Sequence, residues 1–283
     1  MTVVAPSRDS LLHIAQQLPA SPQVLMQLNE LLTDVNSGLD DVANLLRRDT
    51  GLAARIIRIS NSAVFGMGGG IATVEEAVNR VGYAEIYRLT GIAAAVQMAE
   101  HSLNFYGITG PQLRDHTLVT AMMAEALATR AGAPARVAYT VALLRSTGKL
   151  VVDRYLKKFI PAAKPFLFSR NPRLLAWEES VLGSNNAEIA QQILTAWRFP
   201  QSVISPVRNQ YSTSLPADEN RPTAQIVQLA CTVAYDGGFG LHGEREEWSI
   251  ADEDLRSIGL DSAMVAESRE EAVNSFELLK SSL

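Results

Sequence analysis

Few side chains in this 283-residue chain could do chemistry, and their spacing argues against the commonest kinds. The histidines are His13, His101, His116 and His242, and no two sit at a spacing that would bind one metal ion. Cys231 is the only cysteine, which excludes an intrachain disulfide and a four-cysteine zinc site. No helper base lies near it in sequence, so a small buried residue is expected rather than a nucleophile. There is no Gly-x-Ser-x-Gly elbow and no Ser-His-Asp arrangement. Gly68-Gly69-Gly70 hints at a phosphate loop, but no Gly-Lys-Ser/Thr follows and no strand pattern precedes it. What remains is cationic. Arg145 and Lys149 stand at i and i+4, so one continuous helix would place them on a common face. Arg145 could grip a phosphate or carboxylate in bidentate fashion, which makes His116, Arg145 and Lys149 a candidate anion cleft. The plainer reading pairs the two cations with nearby acids such as Asp115 or Glu125 and ties His116 to the backbone.

The basic run continues through Arg154, Lys157, Lys158 and Lys164, interrupted by Asp153, and reads as a solvated helix face. The formal net charge of −5 argues against a general nucleic-acid binder, which needs a basic face. Residues 244–283 hold eleven acids against four bases, a net −7 that could cover the basic run. Met1 to Ser10 has no apolar signal core. The longest uncharged apolar run, Leu89 to Ala99, is bounded by Arg88 and Glu100 and is too short to cross a bilayer. A soluble, cytoplasmic protein without membrane contact is expected.

The elements that must position these groups are helical. Apolar residues recur at helical spacing, and prolines or glycines punctuate the chain at short intervals. No stretch alternates long enough for a strand. About a dozen or more helices are expected. Thr73-Val74-Glu75-Glu76 has the form of a capping box, Asp49 can cap a helix running to Ser60, and Asn171-Pro172 pairs an N-cap with proline at the first helical position. In the 49–60 segment Leu52, Ile56 and Ile59 share one face. Asn61-Ser62 falls where that helix must stop, with Asn61 suited to the left-handed conformation. Gly66 and the later glycines permit a tight return. Trp197-Arg198-Phe199-Pro200 reads as a structural anchor. A final helix carries Val265, Ala272, Phe276 and Leu279 on one side, packed on its own lobe or on a partner. The expected fold class is all-α, multi-helical, in two packed lobes. Residues 1–107 form an N-terminal lobe, 108–240 a second lobe, and 241–283 an acidic helical extension.

Three segments carry a family signature in order and spacing: Leu18-Pro19-Ala20-Ser21-Pro22-Gln23-Val24, Leu45 to Gly66, and Ile71 to Leu89. Together they resemble the HDOD family, HD-related output domains, over roughly residues 14–100. Thr50 replaces the proline usual after the aspartate. The second lobe resembles the HD-type helical fold that accompanies this family. Active HD phosphohydrolases hold divalent metal through a histidine, a His-Asp pair and a distant aspartate, because imidazoles and carboxylates bind the cation that acidifies a water.

Carried over by position, the resemblance puts the first histidine at His116. Arg145 and Ser146 stand where the His-Asp pair would be, Asn186 near a further histidine, Gln210 and Tyr211 near a histidine pair, and Cys231 at the late aspartate. A guanidinium has no lone pair to give and would repel a divalent ion. The resemblance therefore implies a degenerate site with no metal and no cofactor, in a non-enzymatic signalling module of the response-regulator output kind. Such a module would act by binding a signalling protein of unknown identity or a small anionic ligand. The alternatives are a metal-dependent phosphohydrolase with rearranged ligands and, less favoured, a nucleic-acid-binding regulator.

Overall fold

The computed structural model describes residues 5–19, 21–62, 70–167, 173–212, 214, 217–248, 252–280 and 283. Among them there are fourteen α-helices and no strand; a single bridge joins Leu103 and Ile108. The all-α expectation holds. No helix among the described residues is long and apolar enough to cross a membrane. The Asn171-Pro172 start, Gly66, and Gly68-Gly69 lie outside the described residues.

The chain forms two compact units. The smaller comprises residues 18–100 and 274–283. It contains the helices α2 (Ser21–Thr33), α3 (Leu39–Arg47), α4 (Thr50–Ser60) and α5 (Val74–Met98), preceded in the chain by α1 (Arg8–Ala15) of the larger unit. Helices α2, α3 and α4 all pack on α5. The core is apolar: Leu28, Val42, Leu46, Leu52, Ile56, Ile59, Val78 and Ile86 are all fully buried. Each such side chain contributes roughly 1.5–3 kcal/mol by leaving water.

Local signals were accurate here. Asp49 accepts from the Leu52 amide and caps α4, whose buried face is Leu52, Ile56 and Ile59. Thr73 accepts from the Glu76 amide, while Glu76 reaches back one residue beyond the cap, to the Ala72 amide. Asn61 differs from expectation. Its backbone is not left-handed (φ −87°, ψ 0°). Instead its side-chain amide donates to the Ile57 and Ile71 carbonyls and its oxygen accepts from the Ile71 amide, so it ties the end of α4 to the start of the next segment.

The larger unit comprises residues 1–17 and 101–273. Its helices after α1 are α6 (Gly110–Arg130), α7 (Ala135–Leu144), α8 (Thr147–Phe159), α9 (Leu174–Leu182), α10 (Asn186–Ala196), α11 (Gln201–Arg208), α12 (Arg221–Ala234) and α13 (Asp252–Ser257). The last helix, α14 (Ser262–Lys280), contributes to both units. Helix α6 packs on α7 and α12, and α8 packs on α10. This division differs from the expected boundaries: residues 1–17 and 101–107 belong to the larger unit, and 241–283 is divided, 241–273 joining the larger unit and 274–283 the smaller. Helix α1 joins the larger unit because its buried Leu11, Ile14 and Ala15 belong to a helix packed on α8 and α10. Residues 241–248 are no separate extension: Leu241, Glu244, Glu247 and Trp248 are buried in the larger unit. On α14, Ala272, Phe276 and Leu279 are buried as expected, whereas Val265 is only half-buried.

Candidate functional site

A Thr109–Gln112 capping box starts α6, which carries His116 into the core of the larger unit. Helix α7 ends at Leu144, capped by Arg145, and α8 begins after Ser146. Arg145 and Lys149 therefore straddle a helix junction rather than share one helix. Both side chains still converge, because the junction keeps the chain tightly turned: Arg145 is helical and Ser146 sits at φ −86°, ψ 0°. Gly148 lets α8 lie directly on α10, since a Cβ there would stand 1.8 Å from the Asn186 carbonyl oxygen. Asn186, at the first turn of α10, thereby faces the same interior.

The centre of the cluster is a residue with no counterpart among the predicted ones, Glu244. Its Oε1 accepts from Arg145 Nη2 at 2.8 Å, Lys149 Nζ at 2.5 Å and the Tyr211 hydroxyl at 2.8 Å. Arg145, Lys149 and Glu244 are all essentially inaccessible to solvent. Of the expected acids, Asp115 pairs with Arg114 instead. Burial alone would raise the Glu244 carboxyl, but the charges of Arg145 and Lys149 and the hydrogen bond from Arg145 outweigh it and hold the group far below the carboxylate range.

His116 is fixed in one tautomer by its neighbours. Nδ1 lies 2.7 Å from the Phe239 carbonyl, which can only accept, so Nδ1 carries the proton. Nε2 is then the acceptor for Arg145 Nη1 at 2.7 Å. Burial, followed by the Arg145 charge, lowers the imidazole to about 4. The neutral ring thus spends its one free lone pair on the guanidinium.

A second carboxylate balances the second cation. Lys149 Nζ donates to Asn186 Oδ1 at 3.5 Å, and Asn186 donates through its backbone and side-chain nitrogens to Glu178 at 2.7 and 3.0 Å. Tyr106 also donates to Glu178, at 2.6 Å. Burial raises Glu178, opposed by the Lys149 charge and these donors. Around Arg145, the Trp248 ring centroid lies 5.3 Å from the guanidinium carbon, and Trp248 stacks on Tyr211. The Gln210 side-chain amide donates to the Arg145 carbonyl at 3.1 Å, and the Gln210 backbone carbonyl accepts from Trp248 Nε1 at 2.9 Å.

The structure brings His116, Arg145, Lys149, Asn186 and Tyr211 into one hydrogen-bonded network, with Gln210 on its edge. Ser146 is buried beside it, and its hydroxyl has no hydrogen-bond partner among the described residues. Cys231 is buried on α12; burial pushes its thiol up to about 12 despite the opposing Arg145 charge, so it stays protonated. Of the basic run, Lys157, Lys158 and Lys164 are exposed, and Arg154 donates to the Gln17 carbonyl. Of that run the acidic segment pairs with Arg145 and Lys149 through Glu244; its Glu247 pairs with Arg173, and its Glu267 and Glu271 with Arg130.

These groups do not fit a divalent metal. The Nε2 lone pair of His116 is occupied, the His-Asp position offers a guanidinium and a hydroxyl, and Glu244 is neutralised by two cations. Among the described residues, no three His, Cys, Asp or Glu side chains are placed to hold an ion.

Sequence reasoning missed Glu244, Glu178 and Tyr106. A signal for Glu244 was present. Two fixed cations at buried positions demand a buried counter-charge. Gly243, directly before Glu244, has φ +82°, and a Cβ there would lie 2.4 Å from the Phe166 ring. A glycine is therefore needed to turn Glu244 inward.

An all-helical protein whose larger unit has an internal ion-pair network at its centre is the class this geometry defines. The HDOD domain family model matches residues 18–213, and the chain belongs to that family. A structure of an HDOD domain protein of unknown function from Geobacter sulfurreducens is similar at 18% identity and TM-score 0.71, covering 98% of this chain and 99% of that one. A candidate signal transduction protein from Marinobacter aquaeolei VT8 gives 19% and 0.70, covering 97% of this chain and 64% of that one. A candidate phosphohydrolase from Shewanella amazonensis SB2B gives 21% and 0.61, covering 97% and 98%. At these identities the likeness is one of fold. An uncharacterised protein of Treponema pallidum (strain Nichols) is 25% identical over 220 residues. Those residues are 75% of this chain and 41% of that protein, so the chain spans about two fifths of the curated relative's length.

Proposed function

We propose that this protein is a non-catalytic regulatory module of bacterial signal transduction that acts by binding. The observation that carries the reading is Glu244 held by Arg145 and Lys149, with Arg145 at the position where the resemblance puts a metal-binding histidine. Fixed protein charges there do the structural work of an ion, and they leave no Lewis acid and no activated water. Family membership and the signal-transduction description of the Marinobacter relative point the same way. A binding module changes state only as far as its partner prefers one arrangement over another, so the reading requires a partner with that preference. A signalling protein is the favoured partner; the net charge of −5 disfavours nucleic acid.

Metal content of protein purified from cells without chelator or added metal tests the reading. Substoichiometric traces of iron, manganese and zinc are expected, with no phosphodiester hydrolysis when these ions are supplied. Stoichiometric bound metal with such hydrolysis would establish the enzyme alternative.

A further inference from the structure

The segment after α12 is built differently from the helices around it. It starts with a π-helical turn, Tyr235–Phe239, and contains Gly237, Gly238 (φ +88°), Gly240 and Gly243 (φ +82°). It is then fastened at separate points: the Phe239 carbonyl on His116, Glu244 on the two cations and Tyr211, Glu247 on the Leu175 amide and Arg173, and Trp248 on the Gln210 carbonyl.

The choice of charges at the central fastening is informative. An apolar cluster of similar volume would hold a permanent strap at least as well, because burying an ion pair carries a large desolvation cost. Charged groups differ from apolar ones in being well solvated when separated. They suit a contact that must come apart. The pairing is also incomplete: Arg145 Nε and Glu244 Oε2 are buried without hydrogen-bond partners among the described residues. The donors around Glu244 form a ready-made anion receptor consisting of one guanidinium, one ammonium and one phenol.

We propose that Arg145, Lys149 and Tyr211 form a carboxylate-binding site, that Glu244 is its tethered occupant, and that the glycine-hinged segment 237–248 is a latch whose release opens the site to a carboxylate from outside. This rests on the non-catalytic reading above and names the ligand chemistry of that same cluster. Because the tethered occupant has a high effective concentration, a free small carboxylate competes poorly with it in the intact protein. Removing it makes the site readable.

Glu244→Ala deletes a CH2–carboxylate unit, for which acetate is the matching probe. Thermal unfolding of this variant is measured in acetate against chloride at equal ionic strength, beside Glu244→Gln, whose side chain still fills the space. Acetate at tenfold excess over its dissociation constant raises the midpoint of Glu244→Ala by about 3–6 °C over chloride and leaves Glu244→Gln unmoved. If Glu244→Ala folds only in acetate, the site is likewise supported. Equal behaviour in acetate and chloride, or failure to fold in both while Glu244→Gln folds, overturns the site. The latch is read in the wild type by native-state hydrogen exchange. The Glu244 and Glu247 amides, bonded to Leu241 and Glu244 carbonyls, exchange through openings at least tenfold more populated than those of α6. Exchange only through global unfolding overturns the latch. Either failure leaves metal content, and so the non-catalytic reading, untouched.

Discussion

The two compact units solve the problem of charge in opposite ways. In the smaller one the core is apolar, the buried polar groups among its described residues are Ser60, Ser62 and Thr90, and ion pairs such as Arg47–Glu75 stay at the surface. In the larger one an arginine, a lysine, two glutamates, a histidine and an asparagine share a solvent-inaccessible interior. A core that needs only to be stable has no reason to bury such groups, since each must be matched or it costs several kcal/mol of the order of 3–5. The contrast is one of interiors: the larger unit buries a charged, hydrogen-bonded network where the smaller buries apolar side chains.

The largest expected effect breaks the balance in the larger unit. Glu244→Ala leaves two buried cations facing each other and is expected to lose about 3–5 kcal/mol of stability, measured by denaturant unfolding. A much smaller loss would mean that the interior is wetter than the geometry implies.

Acid should distinguish the units next. His116 is neutral when folded, with its value lowered from 6.5 to about 4 by burial and then by Arg145. Between those values the unfolded chain takes up a proton that the folded one refuses, so stability falls as pH drops from 6.5 towards 4, by about 3 kcal/mol in all. Glu244 adds to the loss once the unfolded carboxyl begins to protonate, below about pH 4.5, because its folded value is lower still. His116→Gln should flatten the 6.5-to-4 limb and leave the steeper acid limb in place.

Gly148→Ala should cost about 1–3 kcal/mol through the clash with the Asn186 carbonyl, and should disturb the cluster by moving α8 from α10. In the smaller unit, Arg47→Ala removes an exposed pair and should change stability by less than about 1 kcal/mol. A large effect there would erase the distinction drawn between the units.

The same contrast explains what was legible in the sequence. The smaller unit is written in local signals: the Asp49 and Thr73 caps and the Leu52, Ile56, Ile59 face act within a few residues, and a reader of the chain can use them. In the larger unit, His116, Arg145, Asn186 and Tyr211, which the resemblance aligned at or near metal-ligand positions, lie in one hydrogen-bonded network. The resemblance could not supply Glu244, which lies 99 residues from Arg145 in an acidic stretch where one more glutamate carries no distinction. Ion pairing between distant segments leaves no periodicity. Only the unmet charge of Arg145 and Lys149, and the glycine before Glu244, pointed to it. The helix junction at Arg145–Ser146 was hidden for a similar reason, since the sequence there contains neither proline nor glycine at the break.

Thermal unfolding of the wild-type protein with manganese, iron or zinc, and with chelator, tests most directly whether an internal ion pair has replaced the metal. One midpoint is expected throughout, because Arg145 and Lys149 already neutralise the Glu244 carboxylate and would repel a divalent ion. A midpoint that rises with metal concentration, or falls on chelation, would contradict it.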